Sequence, residues 1–112
     1  MDVFAPSDAT PDSELAVWFF IQGGGYAGNT DDNFNATEVI RQSNHRIVFV
    51  EINYRVGAFG FLASEEVRRD GDLNVGLLDQ RKALEWTRKY IHLVGSPGLI
   101  AFEITELTDP YL

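Results

Sequence analysis

Residues 17–28 read Val-Trp-Phe-Phe-Ile-Gln-Gly-Gly-Gly-Tyr-Ala-Gly, an unbroken apolar run that ends in three consecutive glycines. The run has no polar alternation, and its aromatic and β-branched residues predict a strand that is buried on both faces. In parallel α/β proteins, the segment after such a strand commonly carries a binding or reacting group. Glycines suit this place because they adopt positive φ and bring backbone N–H groups close to a ligand.

A second apolar run follows the first across a short helical pattern. Residues 15–21 and 47–53 are the two predicted strands, and Thr37 is predicted to cap a helix that continues to about Ser43. A strand, a helix and a strand in this order predict parallel pairing through a right-handed crossover.

The residues after the second strand alternate between apolar and charged segments. Residues 54–64 contain Gly57 and Gly60 among apolar side chains and predict a buried turn that packs against the first strand. Residues 65–74 are charged and predicted to be exposed. Residues 79–93 have apolar positions at three and four spacings and form the clearest predicted helix.

Two shorter segments complete the prediction. Val3 and Phe4 can add a short edge strand, and residues 99–104 can form a third strand before a tail that lacks a structural pattern. The predicted fold class is therefore α/β, with mainly parallel strands and about two helices.

Composition limits the possible functions. The chain has 112 residues, the size of one small domain, and no composition shift marks a second one. Its formal net charge of −8 argues against nucleic acid or an anionic membrane as partner. The absence of cysteine excludes a disulfide, a zinc-thiolate site and a cysteine nucleophile. Neither a signal peptide nor an apolar run long enough for a membrane span is expected, and the compartment stays unknown.

The glycine segment fits more than one chemistry. Gly23, Gly25 and Gly28 satisfy G-x-G-x-x-G, and Glu51 follows near the end of the next strand, as in a dinucleotide-binding unit. That interpretation requires a helix at the third glycine, whereas turn-forming residues follow Gly28. The alternatives are a hydrolase oxyanion loop, which needs no immediate helix, and a glycine turn without a ligand.

Three motifs in order favour the hydrolase. Residues 18–26 (Trp-Phe-Phe-Ile-Gln-Gly-Gly-Gly-Tyr), 53–64 (Asn-Tyr-Arg-Val-Gly-Ala-Phe-Gly-Phe-Leu-Ala-Ser) and 74–86 (Asn-Val-Gly-Leu-Leu-Asp-Gln-Arg-Lys-Ala-Leu-Glu-Trp) resemble the type-B carboxylesterase, lipase and cholinesterase family of α/β-hydrolases. The resemblance covers residues 3 to about 95 and corresponds to a minor, N-terminal part of that family's catalytic domain. It implies an incomplete α/β-hydrolase fold and serine-dependent hydrolysis of carboxylic esters.

The same resemblance implies roles for five residues. Gly24 and Gly25 are expected to supply two oxyanion-hole N–H donors, and Gln22 stands where the family often has His or Tyr. Arg55 and Asp79 are expected to form an internal ion pair between the second motif and the long helix. No cofactor and no metal are expected, and the substrate of the full-length family fold is a small-molecule ester.

The family's nucleophile, base and acid have no counterpart among these 112 residues. No serine has glycine at both flanking positions of G-x-S-x-G; Ser96 comes closest, but Val94 precedes it by two and Pro97 follows it. His45 and His92 have ordinary structural interpretations, at a strand start and near a helix end. Residues 96–112 match nothing in the family pattern and are interpreted as a divergent tail.

Two hypotheses follow. The first is a fragment of a type-B carboxylesterase that retains the oxyanion loop and is inactive alone. The alternative is a non-catalytic interaction or regulatory module built on a degenerate hydrolase fold, with residues 99–104 in place of the nucleophile strand. Two strands with buried faces and about two helices to cover them predict self-association of the isolated chain.

Overall fold

The glycine-ended run lies at the centre of a four-stranded sheet. The computed structural model describes residues 1–29 and 34–95 and the backbone of residues 100–104. Its strands are β1 (Asp2–Phe4), β2 (Ala16–Ile21), β3 (Ile47–Ile52) and β4 (Ile100–Ile104), in the order β1-β3-β2-β4. β2 pairs in parallel with β3 and with β4, and β1 pairs antiparallel with β3. The predicted parallel unit, the edge strand and the third strand are confirmed.

Four α-helices lie among the described residues. They are α1 (Thr37–Gln42), α2 (Gly57–Phe61), α3 (Glu65–Asp70) and α4 (Val75–Tyr90), and a 3-10 turn at Ile91–Val94 continues α4. α1 and α4 correspond to the two predicted helices. α2 and α3 are short additions that the sequence patterns did not predict.

The buried turn predicted for residues 54–64 is only partly correct. Gly60 is buried and Phe61 packs against the core, but Phe59 is 86% exposed and Leu62 is 60% exposed. The segment contains the single helical turn of α2, of whose five residues only Gly60 is buried. A helical turn exposes part of its surface, whereas the apolar composition alone suggested burial throughout.

The predicted capping role of Thr37 is wrong, because Ala36 occupies the N-cap position. Thr37 is the first helical residue, and its amide N–H donates to Oδ1 of Asn35 at 2.9 Å. Asparagine commonly accepts from the amide two residues later, and this bond replaces a threonine cap.

α4 begins four residues before the predicted start at Asp79. Asn74 precedes it in the left-handed region, at φ 54°, and Gly76 is buried in its first turn. A Cβ on Gly76 would lie 2.5 Å from the main-chain oxygen of Arg55. Glycine at position 76 therefore allows the start of α4 to pack closely against the main chain of Arg55. Helix propensity, which depends on local sequence, does not indicate such a contact.

The two central strands differ in burial. β3 is buried from Val48 to Ile52, as predicted, whereas β2 alternates: Val17, Phe19 and Ile21 are buried and the intervening side chains are half-buried. The prediction that β2 is buried on both faces is therefore wrong for the described chain. One face contacts a core that includes Tyr54 and Ile91. The other carries a cluster of aromatic rings in contact, from Phe4, Trp18, Phe20, Phe34 and Phe49.

Candidate functional site

The glycine loop, residues 22–28, leaves the carboxyl end of β2. Three consecutive residues have positive φ: 122° at Gly24, 57° at Gly25 and 62° at Tyr26. The turn is closed by Ala27, whose amide donates to the Gly24 oxygen at 3.0 Å. Glycine tolerates these angles without a Cβ clash, so the two glycines allow the sharp reversal.

Gly24 and Gly25 meet different steric requirements. A Cβ on Gly24 would lie 2.3 Å from the main-chain oxygen of Gly28, whereas a Cβ on Gly25 would meet nothing within 4 Å. Both residues are exposed, and in the described part of the chain neither amide N–H donates a hydrogen bond. The loop therefore presents two adjacent donors that are available to an acceptor from outside.

Gln22 begins the loop as a buried residue. It is 5% exposed, and among the described residues its side-chain oxygen and nitrogen have no hydrogen-bond partner. Its main-chain oxygen accepts from the Tyr54 hydroxyl at 3.1 Å. The main chain of Gln22 is thus fixed, while its amide side chain is enclosed and unpaired.

Besides the bond from Tyr54 to Gln22, the segment after β3 contacts the glycine loop at Tyr26. The Gly57 amide donates to the Tyr26 oxygen at 2.6 Å, and the Tyr26 ring packs on Tyr54 and Phe61 with centroid distances of 6.4 and 4.9 Å. Burial, and secondarily the neighbouring Tyr26, raises the pKa of Tyr54. Tyr54 therefore remains a protonated donor at neutral pH.

The predicted ion pair between Arg55 and Asp79 is confirmed. Nε and Nη2 of Arg55 lie 2.7 Å from Oδ2 and Oδ1 of Asp79, and the Arg55 amide donates to Oδ2 at 3.1 Å. Hydrogen bonds from the Arg55 side chain lower the pKa of Asp79 against the opposing effect of desolvation. The pair joins the segment after β3 to α4.

The histidines lie away from the glycine loop. His45 lies two residues before the first residue of β3. The turn that contains His92 is joined to the start of β2 by the bond from the Leu15 amide to the Gly95 oxygen at 2.7 Å. Since β2 and β3 are parallel and in register, both histidines lie at the amino end of the strands. The loop lies at the carboxyl end, about 20 Å away for six extended residues.

Other predicted residues fall outside the loop or outside the described chain. Ser96 and Pro97 lie outside the described residues. α1 begins at Thr37, well beyond the third glycine, so the described chain has no helix where a dinucleotide phosphate needs one. Among the residues that the structure describes, no three His, Asp or Glu side chains could hold a metal ion. None of the described helices has the length and hydropathy needed to cross a membrane.

Sequence patterns missed the residues that support the loop. Tyr54 lies in the second motif beside Arg55, yet only Arg55 was assigned a role there. Its bond to Gln22 joins positions 32 residues apart, and nothing in local sequence indicates such a contact.

Comparison with known proteins agrees with the architecture. The sequence model described as "Carboxylesterase family" matches residues 1–98. Lipase 2 of Geotrichum candidum is 38% identical over 89 residues, which cover 77% of this chain and 16% of the lipase. Carboxylesterase patB of Aspergillus clavatus is 35% identical over 108 residues, which cover 85% of this chain and 20% of the relative.

Solved structures give the same result. Aspergillus niger EstA superposes with a TM-score of 0.87 and 60% identity, covering 92% of this chain and 20% of the EstA chain. A structure titled PNB esterase has a TM-score of 0.78 and 32% identity, covering 93% of this chain and 22% of that one. The 112 residues thus span about a fifth or less of the curated relatives they match.

Proposed function

The chain belongs to the carboxylesterase family, and from this premise we propose that its glycine loop forms the oxyanion hole of a carboxylic-ester hydrolase. The observation that carries the proposal is the pair of free, exposed amides of Gly24 and Gly25 at the carboxyl end of the central parallel strand. Active groups in open α/β sheets gather at that end.

The chemistry needs such donors because negative charge develops on the acyl oxygen. A serine attacks the ester carbonyl, a histidine accepts the serine proton, and the oxygen of the tetrahedral intermediate becomes an anion. Each backbone donor aimed at this oxygen stabilises the transition state by about 2.7 to 4 kcal/mol. Gly24 and Gly25 contribute this part of the reaction.

The serine, the histidine and the acid are proposed to lie outside these 112 residues. None of the chain's serines has glycine at both flanking positions of G-x-S-x-G, and both histidines lie toward the amino end of the parallel strands, away from the glycine loop. We therefore propose that the isolated chain does not hydrolyse esters. We also propose that residues 96–112 form a divergent tail; the family match extends to residue 98.

A chimera tests the proposal. Residues 1–95 replace the matching segment of Aspergillus niger EstA, which is 60% identical, and hydrolysis of a p-nitrophenyl ester by unmodified EstA is the reference. Gly25→Ala keeps the amide N–H but places a methyl group on a backbone with φ 57°, which alanine disfavours, and the resulting shift of the donors is expected to lower kcat about 100-fold.

Gly28→Ala is the control for an added methyl group in the same loop. A Cβ there meets nothing within 4 Å, and Gly28 does not have a positive φ. It should retain most of the chimera's activity. Equal rates for the two variants would contradict the oxyanion assignment.

A non-catalytic interaction module is the second candidate. The observation in its favour is an apolar cavity of about 380 Å³ between β1 and the end of α4, lined by Val3, Trp86, Tyr90, Ile91, Leu93 and Val94. A chimera that folds like EstA yet hydrolyses no ester would favour this candidate over the first.

A further inference from the structure

One short segment holds the glycine loop on both sides of its free donors. Before the donors, the Gln22 oxygen accepts from the Tyr54 hydroxyl at 3.1 Å; after them, the Tyr26 oxygen accepts from the Gly57 amide at 2.6 Å. The two free amides, of Gly24 and Gly25, lie between these attachments. Residues 54–57 therefore hold the loop on both sides of the exposed donor pair.

The segment is itself firmly held. Arg55 makes three hydrogen bonds to Asp79 of α4. The main-chain oxygen of Arg55 lies so close to Gly60 and Gly76 that a Cβ on either would approach it to 2.0 and 2.5 Å. Packing from α2 and α4 thus leaves the segment little freedom to move.

The loop needs such support because its backbone is strained and flexible. Tyr26 holds φ at 62°, a region that disfavours a bulky side chain, and the three preceding glycines are intrinsically mobile. Tyr54 is 5% exposed, so water competes weakly for its hydroxyl bond. A donor pair stabilises an oxyanion only if it is already in place before the charge forms.

We propose that Tyr54 is a positioning residue of the glycine loop, whose hydroxyl, together with the Gly57 amide, fixes the orientation of the Gly24 and Gly25 donors. The kinetic consequence rests on the proposed oxyanion function. The structural consequence, a less rigid loop without the hydroxyl, does not depend on it.

The kinetic test uses Tyr54→Phe in the EstA chimera. Loss of the hydroxyl is expected to lower kcat about five- to tenfold with KM changed less than twofold, because the donors act on the transition state. Tyr90→Phe is the control, since Tyr90 is partly exposed on α4 and its hydroxyl has no described hydrogen bond. Where Gly25→Ala does lower kcat, a kcat for Tyr54→Phe within twofold of the control would overturn the proposal.

Hydrogen exchange gives a readout that is independent of activity. In the 112-residue chain and in the chimera, Tyr54→Phe should accelerate exchange of the Ala27 and Gly57 amides about two- to tenfold while β3 amides keep their protection. Acceleration spread equally over loop and strand would show a general structural role and refute the positioning role.

The two proposals fail in different ways. If Gly25→Ala leaves kcat unchanged while Tyr54→Phe still loosens the loop, the oxyanion function is wrong and the positioning contact stands. If Gly25→Ala lowers kcat and Tyr54→Phe changes neither kcat nor exchange, the positioning role is wrong.

Discussion

Asp79 on α4 accepts three hydrogen bonds from Arg55, two from the guanidinium at 2.7 Å and one from the main-chain amide at 3.1 Å. The planar guanidinium meets the carboxylate with two parallel bonds, a geometry that lysine cannot reproduce. The Arg55 side chain is 56% exposed and that of Asp79 30% exposed, so the contact owes its value to geometry more than to burial. It attaches the segment that supports the glycine loop to the longest helix.

Stability at acid pH should depend on this pair. Because the folded-state pKa of Asp79 is lowered, chiefly by the Arg55 side chain, its contribution is full above the unfolded-state pKa of about 3.9 and is lost as pH falls through the folded-state value. Asp79→Asn should therefore destabilise the protein near neutral pH and progressively less below about pH 4. Urea unfolding across this range measures the difference.

Asp72→Asn is the control for the charge change. Asp72 is exposed and forms no ion pair among the described residues. The free energy of unfolding of Asp72→Asn should differ little from that of the unmodified protein across the pH range. If Asp79→Asn lowered the free energy of unfolding by the same amount at every pH, stability would not depend on the ionisation of Asp79 and this prediction would be contradicted.

Alanine at Gly76 sets two effects against each other. Alanine favours a helix over glycine by about 1 kcal/mol, but its Cβ would lie 2.5 Å from the Arg55 oxygen and 2.6 Å from the Phe61 ring. Overpacking costs about 1 to 3 kcal/mol, and a main-chain oxygen held by its neighbours cannot move aside cheaply. Gly76→Ala should therefore lower the free energy of unfolding, measured by urea titration. Gly71→Ala, whose Cβ would be 3.7 Å from the nearest atom, should not.

Gly76 also shows where sequence reasoning reaches its limit. The apolar spacing identified α4, but the predicted start at Asp79 missed its first turn because a glycine there lowers helix propensity. The residue is explained by contacts with Arg55 and Phe61, which come from earlier parts of the chain. The strands were easier to predict because unbroken apolar runs carry their own signal.

The candidate site also contains residues that the sequence indicates and one that it does not. The roles of Gly24 and Gly25, like the Arg55–Asp79 pair, follow from the family resemblance. Tyr54 was missed because its role depends on a hydroxyl that meets the main chain of Gln22, and any residue can supply a main-chain oxygen. Contacts to the main chain leave no signature in side-chain identity.

Phe49 should be the most sensitive position on the aromatic face of the sheet. It is 1% exposed and its ring contacts four others at centroid distances of 5.3 to 6.4 Å, stacked on Phe20 and Phe34 and inclined to Phe4 and Trp18. Phe49→Ala removes these contacts and leaves a cavity, at an expected cost of about 3 to 5 kcal/mol in the free energy of unfolding. Phe59→Ala, at a position 86% exposed, should change it by less than about 0.5 kcal/mol. Similar losses for the two variants, measured by urea unfolding, would contradict the assigned packing.

Self-association of the isolated 112-residue chain should depend on the apolar end of α4. Trp86, Tyr90 and Leu93 are 40%, 36% and 62% exposed and line one cavity with Val3. Contiguous apolar surface of this kind drives association, whereas a net charge of −8 opposes it by repulsion between copies. Added salt screens that repulsion, so the association constant from sedimentation velocity should rise with ionic strength.

Two substitutions test whether this surface is responsible. The double variant Trp86→Lys with Leu93→Lys should shift the chain toward the monomer even though it brings the net charge closer to zero, because the apolar contact outweighs the charge. Leu62→Lys, at a position 60% exposed near α2, should leave association nearly unchanged. A monomeric unmodified chain with a single cooperative unfolding transition would show that the exposed apolar surface is tolerated. Equal changes in the association constant for the double variant and for Leu62→Lys would show that association does not depend on the apolar end of α4.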